Sequence, residues 1–225
     1  MSATSIVEAI GDDLRARILA GTLTAEVAVT EKEVAGAYDV ARPTAKAAIE
    51  KLVGEGLLVR GTHKSARVAV LGPDSVRDIY LARAFLESEV LRRLAATATV
   101  PAAAVAANAE LAALAGEGDL AIVDPDMRFH TALIDAVGNE RTSRMYRSLV
   151  SEVRLCMTRV QSLHLLDPAL IHREHQQILD HVAAGRGAEA ADVLDAHLAT
   201  ARERLAEALA VPDVEKPALP APAAG

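Results

Sequence analysis

Hydrophobic positions recur at helical spacing along most of the chain, and only one short region alternates like a pair of strands. Residues 5–20 form one amphipathic helical pattern that ends at Gly21, and two shorter helical patterns cover residues 30–37 and 42–53. Two β-prone runs follow at residues 57–60 and 67–70. Beyond Pro73 turn residues separate six further helical patterns, near residues 74–98, 101–115, 120–137, 140–165, 168–184 and 188–210. These six patterns predict an all-α antiparallel helical bundle.

The region from residue 29 to residue 70 reads as helix, tight turn, helix and two short strands. Thr30 is a typical N-cap residue for the first of these helices, and Asp39 tolerates the left-handed backbone of a tight turn. Pro43 stands in the first turn of the second helix, where a missing N–H costs little. A polar loop, residues 61–66, joins the two strands. This order predicts a winged helix-turn-helix, whose second helix enters the major groove of DNA. The predicted fold class is therefore mainly α, with an N-terminal winged helix-turn-helix followed by the bundle.

Composition divides the chain into three parts. Leu71-Gly72-Pro73 interrupts the pattern, so residues 1–71 are predicted to be one domain and residues 72–210 a second, all-helical domain. Residues 211–225 are rich in Pro and Ala and predict a disordered tail. No run approaches the ~18 apolar residues of a membrane span, so no membrane partner is expected. The single cysteine, Cys156, fits a cytoplasmic protein and lies between apolar residues, which predicts a buried structural thiol.

Charge is unevenly distributed along a chain of net charge −7. Residues 40–67 hold six Lys/Arg against two Asp/Glu, whereas residues 73–225 hold 15 against 22. A basic strip on an acidic protein concentrates affinity for phosphate on one surface. The strip favours DNA binding, although a solvated helix face is the alternative explanation.

Four polar residues fall on helix faces that are otherwise apolar. Asp126 and His130 are four residues apart in one predicted helix, so both point the same way. His175 and His197 each lie ten residues from the turn at 185–187, so two antiparallel helices place both about 15 Å from it. One carboxylate and three imidazoles suit Zn, Ni, Mn or Fe(II). A hydrogen-bonded polar network in the core is the alternative.

Three motifs in the first 70 residues carry a family resemblance: T-E-K-E-V-A, V-A-R-P-T-A-K-A-A-I-E-K-L and E-G-L-L. They resemble the DNA-binding domain of the GntR family of bacterial transcription regulators. The resemblance implies sequence-specific DNA binding and contacts from the following residues: Lys32, Arg42, Thr44, Lys46, Thr62, His63 and Lys64. Ala41, Ala47 and Ser65 replace a Ser, a Glu and a Gly that are common in the family, which leaves the operator sequence open.

A second set of motifs lies in the bundle: D-M-R-F-H at 126–130, G-N at 138–139, E-H-Q-Q-I at 174–178, and an inward His197. It is similar to the helical effector domain of the FadR-type branch of that family, the FCD domain. The resemblance implies a divalent metal ion, with Zn, Ni or Mn as candidates, and the ligands Asp126, His130, His175 and His197. Arg83 matches an arginine that often lines the effector pocket of that domain, although it can equally pair with Glu87 at i+4. Asn139 is a further candidate pocket residue, or simply the residue that follows a helix end at Gly138.

Together these features predict a homodimeric transcriptional regulator, a repressor and not an enzyme, that binds a palindromic double-stranded DNA operator. A small carboxylate effector bound at the metal would control its DNA affinity. Two alternatives stay open at this point. The helical domain can be a metalloenzyme fused to a DNA-binding module, with Glu174 as the nearby candidate general base, or the metal can be structural in a constitutive DNA binder.

Overall fold

A computed structural model of the chain describes residues 5–61, 65–114, 119–160 and 163–210. Within these ranges the chain forms nine helices and one two-stranded antiparallel sheet, so the mainly α fold class is confirmed. The N-terminal elements are α1 (Ile6–Leu19), α2 (Glu31–Ala37), α3 (Arg42–Gly54), β1 (Leu58–Arg60) and β2 (Ala66–Val68). The bundle consists of α4 (Pro73–Ala96), α5 (Ala102–Leu111), α6 (Asp119–Ala136), α7 (Glu140–Val160), α8 (Pro168–Ala183) and α9 (Gly187–Ala210).

The helix-turn-helix has the caps and the turn that its sequence predicts. Thr30 and Glu33 form a reciprocal capping box at the start of α2, which satisfies two backbone N–H groups. Asp39 adopts a left-handed φ of 50° in the turn between α2 and α3. Pro43 lies in the first turn of α3, and Ala41 stands at its N-cap without a side-chain hydrogen bond. The recognition helix therefore begins where predicted, but without its usual side-chain cap.

The first domain closes around an apolar core that one helix of the bundle completes. The buried face of α3 consists of Ala45, Ala48, Ile49 and Leu52. These residues pack against buried side chains of α1, including Ile10, Leu14 and Ile18, and of the strands. Leu155 of α7 is 5% exposed and belongs to this same core. The helix-turn-helix therefore rests directly on the bundle.

Helix α7 makes further contacts across the domain boundary. The Arg159 Nη1 atom donates a hydrogen bond to the Leu71 carbonyl oxygen at 2.8 Å. Gly56, at the end of the recognition helix, has a φ of 74°, and a Cβ atom there would collide with the Glu152 side chain. The left-handed backbone favours glycine at this position, and the Glu152 side chain brings α7 into contact with the end of α3.

The bundle has a separate core to which all six of its helices contribute. Helix α4 packs along α9, α5 against α6, α6 against α7, and α8 against α9. Cys156 is buried there, and burial raises the pKa of its thiol to about 12, as expected for a structural thiol. None of the helices in the described ranges is long and apolar enough to cross a membrane. The tail predicted at residues 211–225 and the wing tip at residues 62–64 lie outside the described residues.

Candidate metal centre and nucleic-acid interface

The four predicted metal ligands come together in the interior of the bundle. One potential ligand atom from each of Asp126, His130, His175 and His197 lies within 4.8 Å of the other three. The ligand atoms around an ion with bonds of about 2.1 Å are about 3 to 4.2 Å apart. Small side-chain movements would therefore bring these four atoms to metal-binding distances. All three histidines are buried, and the Asp126 side chain is 13% exposed. Helix α6 supplies two of these residues, and α8 and α9 supply one each.

Several polar atoms at this centre are buried without a hydrogen-bond partner among the described residues: Asp126 Oδ1, His130 Nε2, and both ring nitrogens of His175. Asp126 Oδ1 lies 3.3 Å from His175 Nε2 and 3.7 Å from His130 Nε2. Leaving a buried polar atom unpaired costs about 1–3 kcal/mol, so four such atoms in one place require an explanation. A divalent ion bound between them would satisfy three of the four: Asp126 Oδ1, His130 Nε2 and one ring nitrogen of His175. The residues present therefore fit a metal ion.

Two carboxylates outside the cluster orient its histidines. Glu87 Oε2 lies 2.5 Å from His130 Nδ1, and Glu174 Oε2 lies 2.7 Å from His197 Nδ1. A carboxylate at Nδ1 keeps the proton on that nitrogen and leaves the Nε2 lone pair free for a metal. His175 instead stacks on the Phe129 ring, with ring centroids 3.6 Å apart and planes 7° apart.

Glu87 is the site residue that sequence reasoning missed in this role. Besides His130, it accepts hydrogen bonds from Arg83 Nε at 3.1 Å and from the Tyr146 hydroxyl at 2.7 Å. Arg83 and Glu87 fall on the buried stripe of α4 with apolar residues such as Val76. Two charged residues on an inward stripe are a signal that they serve a buried site. Their partners in α6 and α7 cannot be read from α4 alone.

The charges of this region suit a cation. Burial opposes ionisation of Asp126, but the neighbouring imidazoles hold the pKa of its carboxyl well below the usual range. Burial likewise opposes ionisation of Glu87, but His130 and Arg83 lower its pKa to about 2. Burial lowers the pKa of His175 to about 3, so its imidazole is neutral near pH 7. Three carboxylates and the Arg83 guanidinium leave a formal charge of −2 with neutral histidines, which a divalent ion would balance.

A cavity of about 40 Å³ adjoins the cluster. Asp126, His197 and Arg83 form part of its wall. Most of the other lining side chains are apolar: Val123, Met127, Val153, Met157, Leu165, Leu166, Leu170 and Ile171. This volume is enough for a few water-sized groups. The cavity therefore combines the ligand cluster and Arg83 with a largely apolar lining, to which Asp167, Glu174, Thr200 and Arg204 add further polar groups.

Arg83 fills both of the roles that its sequence left open. Its Nε atom pairs with Glu87, and it also lines the cavity. Its Nη2 atom is buried without a hydrogen-bond partner among the described residues. An arginine with a spare donor beside a cavity is suited to bind a carboxylate.

Asn139 does not line this cavity. It is exposed at the start of α7, where its Oδ1 atom accepts hydrogen bonds from the backbone N–H groups of Arg141 and Thr142 at 3.0 and 3.2 Å. Asn139 is therefore the N-cap of α7. Gly138, with a φ of 72°, is the residue that ends α6.

The predicted DNA-contacting residues of the helix-turn-helix are accessible. Arg42 and Lys46 are exposed one turn apart on α3, Lys32 is exposed on α2, and Thr44 is half-buried. None of the three basic residues forms an ion pair with another described residue. Their charge is therefore available for phosphates or bases. The predicted wing contacts Thr62, His63 and Lys64 lie outside the described residues.

The other bases of the strip are held within the domain. Lys51 pairs with Glu8, and Arg60 pairs with Glu50. Arg67 donates hydrogen bonds to the backbone carbonyl oxygens of residues 25 and 26. The free positive charge of the described strip is thus concentrated at the N-terminal half of α3, as expected for a recognition helix.

Comparison with protein families identifies both domains. Residues 6–68 match the gntR family of bacterial regulatory proteins, and residues 78–200 match the FCD domain. The chain belongs to the GntR family. This GntR protein is therefore a DNA-binding transcriptional regulator with an FCD domain, and its relatives are regulators and not enzymes.

Two relatives resemble this GntR regulator over most of its length. An uncharacterized regulator of the helix-turn-helix type, BphR of Paraburkholderia xenovorans, is 26% identical over 206 residues, which cover 86% of this chain and 82% of that protein. The Nta operon transcriptional regulator of Aminobacter aminovorans is 27% identical over 174 residues, which cover 76% of this chain and 80% of that protein.

Solved structures of GntR regulators share the fold. A putative transcriptional regulator GntR from Rhodococcus sp. RHA1 has a TM-score of 0.67 at 22% identity, over 88% of this chain and 96% of its own. McbR/YncC of E. coli has a TM-score of 0.64 at 16% identity, over 88% of this chain and 98% of its own. At these identities the likeness concerns the fold alone.

Proposed function

We propose that this GntR regulator is a cytoplasmic, homodimeric repressor whose operator binding is controlled by a small organic acid at a metal-containing pocket. The observation that carries the proposal is the cluster of unpaired donor atoms beside the unpaired Nη2 of Arg83. A metal ion and a guanidinium on one wall of a cavity together provide two positive partners for one carboxylate. The FCD domain match gives this site a regulatory context.

In this proposal Asp126, His130, His175 and His197 hold a divalent ion through one oxygen and three nitrogens. This donor set suits Zn, Ni or Mn, and four protein ligands leave coordination positions open in an octahedral site. Asp126 and His197 line the cavity, so an open position there would face it. The bound ion would supply a Lewis-acid partner for the carboxylate of the effector.

The effector proposed here is a small carboxylate with a short apolar portion. Its carboxylate would bind the ion and Arg83, and its remaining atoms would contact the apolar part of the cavity lining. The small cavity volume favours a compact acid over a long acyl chain. Asn139 is not included in the proposed contacts, because its side-chain oxygen caps α7.

Helix α7 is the proposed route from the pocket to the DNA-binding domain. Its residues Val153 and Met157 line the cavity, whereas Leu155 between them packs into the core of the helix-turn-helix. A rotation or shift of α7 on effector binding would therefore move the DNA-binding domain. The effector would act by binding one arrangement of the two domains more tightly than the other.

At the operator, α3 would lie in the major groove with Arg42 and Lys46 directed at bases and phosphates. Arginine can bind guanine O6 and N7 with two hydrogen bonds, whereas lysine acts more as a point charge. Lys32, Thr44 and the wing residues Thr62, His63 and Lys64 would add contacts, mainly to the backbone. Two such domains in a homodimer would match the two halves of a palindrome.

The proposal can be tested by measuring DNA affinity while carboxylates are added. The full chain, loaded with Zn and free of a chelating tag, first selects its operator from a random duplex library. Fluorescence anisotropy at constant salt then gives the operator Kd with acetate, succinate, citrate or benzoate present. At least one acid is expected to weaken binding by about fivefold or more, a typical allosteric coupling.

Arg83→Lys is the matched variant, because it keeps the charge that Glu87 requires but loses the planar fork. It should keep operator binding in the absence of acid and lose most of the response to acid. Helicity measured by circular dichroism verifies that the variant is folded. If no acid changes the Kd of the metal-loaded wild type, effector control at this site is wrong and the metal is structural.

A further inference from the structure

A cleft of about 1240 Å³ lies between the DNA-binding domain and the bundle. Its side on the first domain includes Arg15 of α1 and Lys51 and Gly54 of α3, and its side on the bundle belongs to α5, α6 and α7. We call this space the interdomain cleft. It can hold a whole small molecule, since ligand pockets typically measure about 300–1,000 Å³. Met127 is the one described residue that lines both this cleft and the cavity beside the metal cluster, so the two are separate sites.

The α5 side of the interdomain cleft is apolar and has short side chains. Ala102, Ala103 and Ala106 are exposed on α5 and line the cleft. Ala132 and Ala136 of α6 also line it. Methyl groups leave room for a ligand and offer it apolar surface to cover. An apolar or aromatic part of a ligand would therefore fit against α5 and α6.

The α7 side of the interdomain cleft is basic. Arg144, Arg147 and Arg154 line it, and their spacings of three and seven residues place them on one face of the helix. At 1.5 Å per residue this row is about 15 Å long. Arg128 of α6 also lines the bundle side, where Asp135 is the one acidic residue among the described lining residues.

Two arginines of this row have hydrogen-bond donors to spare. Arg144 is exposed and forms no ion pair with any residue of the described ranges. Arg154 donates through Nη2 to Asp124 at 2.8 Å, but its Nε atom is buried without a partner in the same ranges. Arg147 pairs with Asp135 at 3.0 Å, and both side chains are exposed, so this pair contributes little to stability. The row can therefore bind an anion at low cost.

The other bases that line the cleft are already paired within the protein: Arg15 with Asp12 and Glu55, Lys51 with Glu8, and Arg128 with Glu110. The first-domain side is therefore close to neutral. The spare positive charge of the cleft lies on α7.

We propose that the interdomain cleft binds a small organic phosphate, with the phosphate group on the arginines of α7 and the apolar part against the alanines of α5 and α6. A phosphate monoester carries about −1.5 to −2 charges near pH 7. Planar guanidinium groups bind phosphate through paired hydrogen bonds. A wholly apolar ligand would leave the spare donors unused, and an inorganic anion would leave the alanine surface uncovered.

An occupant of the cleft would contact both domains. Lys51 and Gly54 of the recognition helix line the same space as the arginines of α7. The ligand would therefore bind one arrangement of the two domains more tightly than another, which makes the cleft a second input to DNA affinity. The site does not depend on the proposed metal or carboxylate effector.

The experiment is isothermal titration calorimetry of the full chain at constant salt. The protein is first freed of metal by dialysis, because a metal ion can itself bind phosphate. The probes are phenyl phosphate and adenosine 5′-monophosphate, with phenol and adenosine as the matched compounds that lack phosphate. At least one phosphate should bind the wild type, and its counterpart should bind about tenfold more weakly or not at all, as expected when charge-assisted hydrogen bonds are lost.

Two pairs of variants locate the binding. Arg144→Ala should raise the Kd of the probe about tenfold or more. Arg141→Ala also removes an exposed arginine of α7 that lies outside the cleft, and it should bind like the wild type. Ala106→Leu should weaken binding by filling the apolar side, whereas Ala109→Leu, exposed on α5 outside the cleft, should not. Circular dichroism verifies that each variant is folded.

The proposal is overturned if the wild type binds neither phosphate, or if folded Arg144→Ala binds the probe as tightly as the wild type. A chain that ends at Ala210 should bind like the full chain. If only the shortened chain binds, residues 211–225 occupy the cleft and the proposal is wrong. It is also wrong if no phosphate binds but Arg144→Ala weakens operator binding, since the arginines then contact DNA. The titrations contain no metal or carboxylate, so these outcomes are independent of effector control.

Discussion

Arg83 has a charged side chain in the interior of the bundle, where it is only 1% exposed. An isolated charge there would be strongly destabilising, but Glu87 pairs with its Nε atom and the Tyr80 ring lies against its guanidinium. Glu87 in turn orients His130, so the arginine, the carboxylate and the metal ligand are coupled. Replacing any one of them leaves another buried polar group unpaired.

Glu174 allows a cleaner test of histidine orientation, because its side chain is 24% exposed and it pairs with His197 Nδ1, the ring nitrogen that would face away from the metal. Glu174→Gln should lower Zn affinity about 10- to 100-fold, as loss of an orienting carboxylate does, while the protein stays folded. Competition with a chromophoric chelator measures the affinity. Asp180→Asn, on the exposed face of the same helix, is the control and should bind Zn like the wild type. Equal affinities of wild type and Glu174→Gln would remove Glu174 from the site.

The buried ionisable groups predict how the metal-free protein responds to acid. Burial lowers the pKa of His175 from 6.5 to about 3, so below pH 6.5 the unfolded chain binds a proton that the folded chain does not. The stability contributed by the neutral imidazole is therefore lost as pH falls from about 6.5 towards about 3. For Glu87 the corresponding loss runs from its ordinary pKa of 4.5 down to about 2.

Urea unfolding in the presence of a chelator, at several pH values, measures this dependence. Between pH 6.5 and pH 4.5 Glu87 contributes little, whereas Glu152, whose pKa burial raises, contributes with the opposite sign to His175. The difference in slope between the wild type and a His175 variant therefore isolates the histidine. His175→Gln should flatten the slope in that window. An unchanged slope would show that His175 is already protonated in the folded protein. His130 behaves in the opposite way. Burial opposes its protonation, but Glu87 and Asp126 raise its pKa above 6.5, so the stability contributed by its charged form is lost as pH rises above 6.5.

For DNA binding, we expect a basic residue of α3 that forms no ion pair within the described part of the chain to contribute more to operator affinity than one that does. Arg42→Ala should weaken operator binding by about 1–3 kcal/mol and relax specificity, because a bidentate base contact is lost. Lys51→Ala, which removes a lysine that already pairs with Glu8, should change the affinity much less. Fluorescence anisotropy on the selected operator compares the two. Equal losses for both variants would contradict the assignment of Arg42 to base recognition.

At the scale of single elements, the sequence predicted most helix starts and turns because local residues determine them. Two helices end earlier than predicted: α5 at Leu111 and not near residue 115, and α7 at Val160 and not near residue 165. Asp39, Gly21 and Gly138 have the left-handed backbone that ends a helix or forms a turn, and Pro43 and Pro168 stand at helix starts. The strands were predicted to within one or two residues. Longer-range pairings, such as Glu87 with His130, depend on how α4 packs on α6, and no local pattern specifies that packing.

The missing cap of α3 gives an element-scale prediction. Ala41 has the extended backbone of an N-cap, with φ of −65° and ψ of 146°, but no oxygen to accept the orphan N–H groups of the first turn. Ala41→Ser should stabilise the DNA-binding domain by about 1 kcal/mol, and Thr30→Ala, which removes the cap of α2, should destabilise it by a similar amount. Urea unfolding measures both. A destabilised Ala41→Ser protein would mean that the serine side chain does not reach the helix N–H groups.

At the scale of the whole molecule, the sequence predicted that the four candidate metal ligands lie close together, but not which neighbouring residues orient them or how the two domains pack. The turn at residues 185–187 sets His175 level with His197, and the i, i+4 spacing aligns Asp126 with His130, so their proximity followed from helix geometry. Docking of Leu155 into the core of the DNA-binding domain was not predicted, because an apolar residue on α7 fits either core.

The most direct measurement of the central claim is metal content. The full chain, purified without a chelating tag, is incubated with Zn or Ni, freed of excess metal and analysed by mass spectrometry beside Asp126→Ala/His175→Ala. Four ligands for one ion predict about one metal per chain in the wild type and almost none in the double variant, with helicity retained in both. A wild type that holds no metal would contradict the account. The four residues would then form a polar network in the core, without a metal to bind the effector.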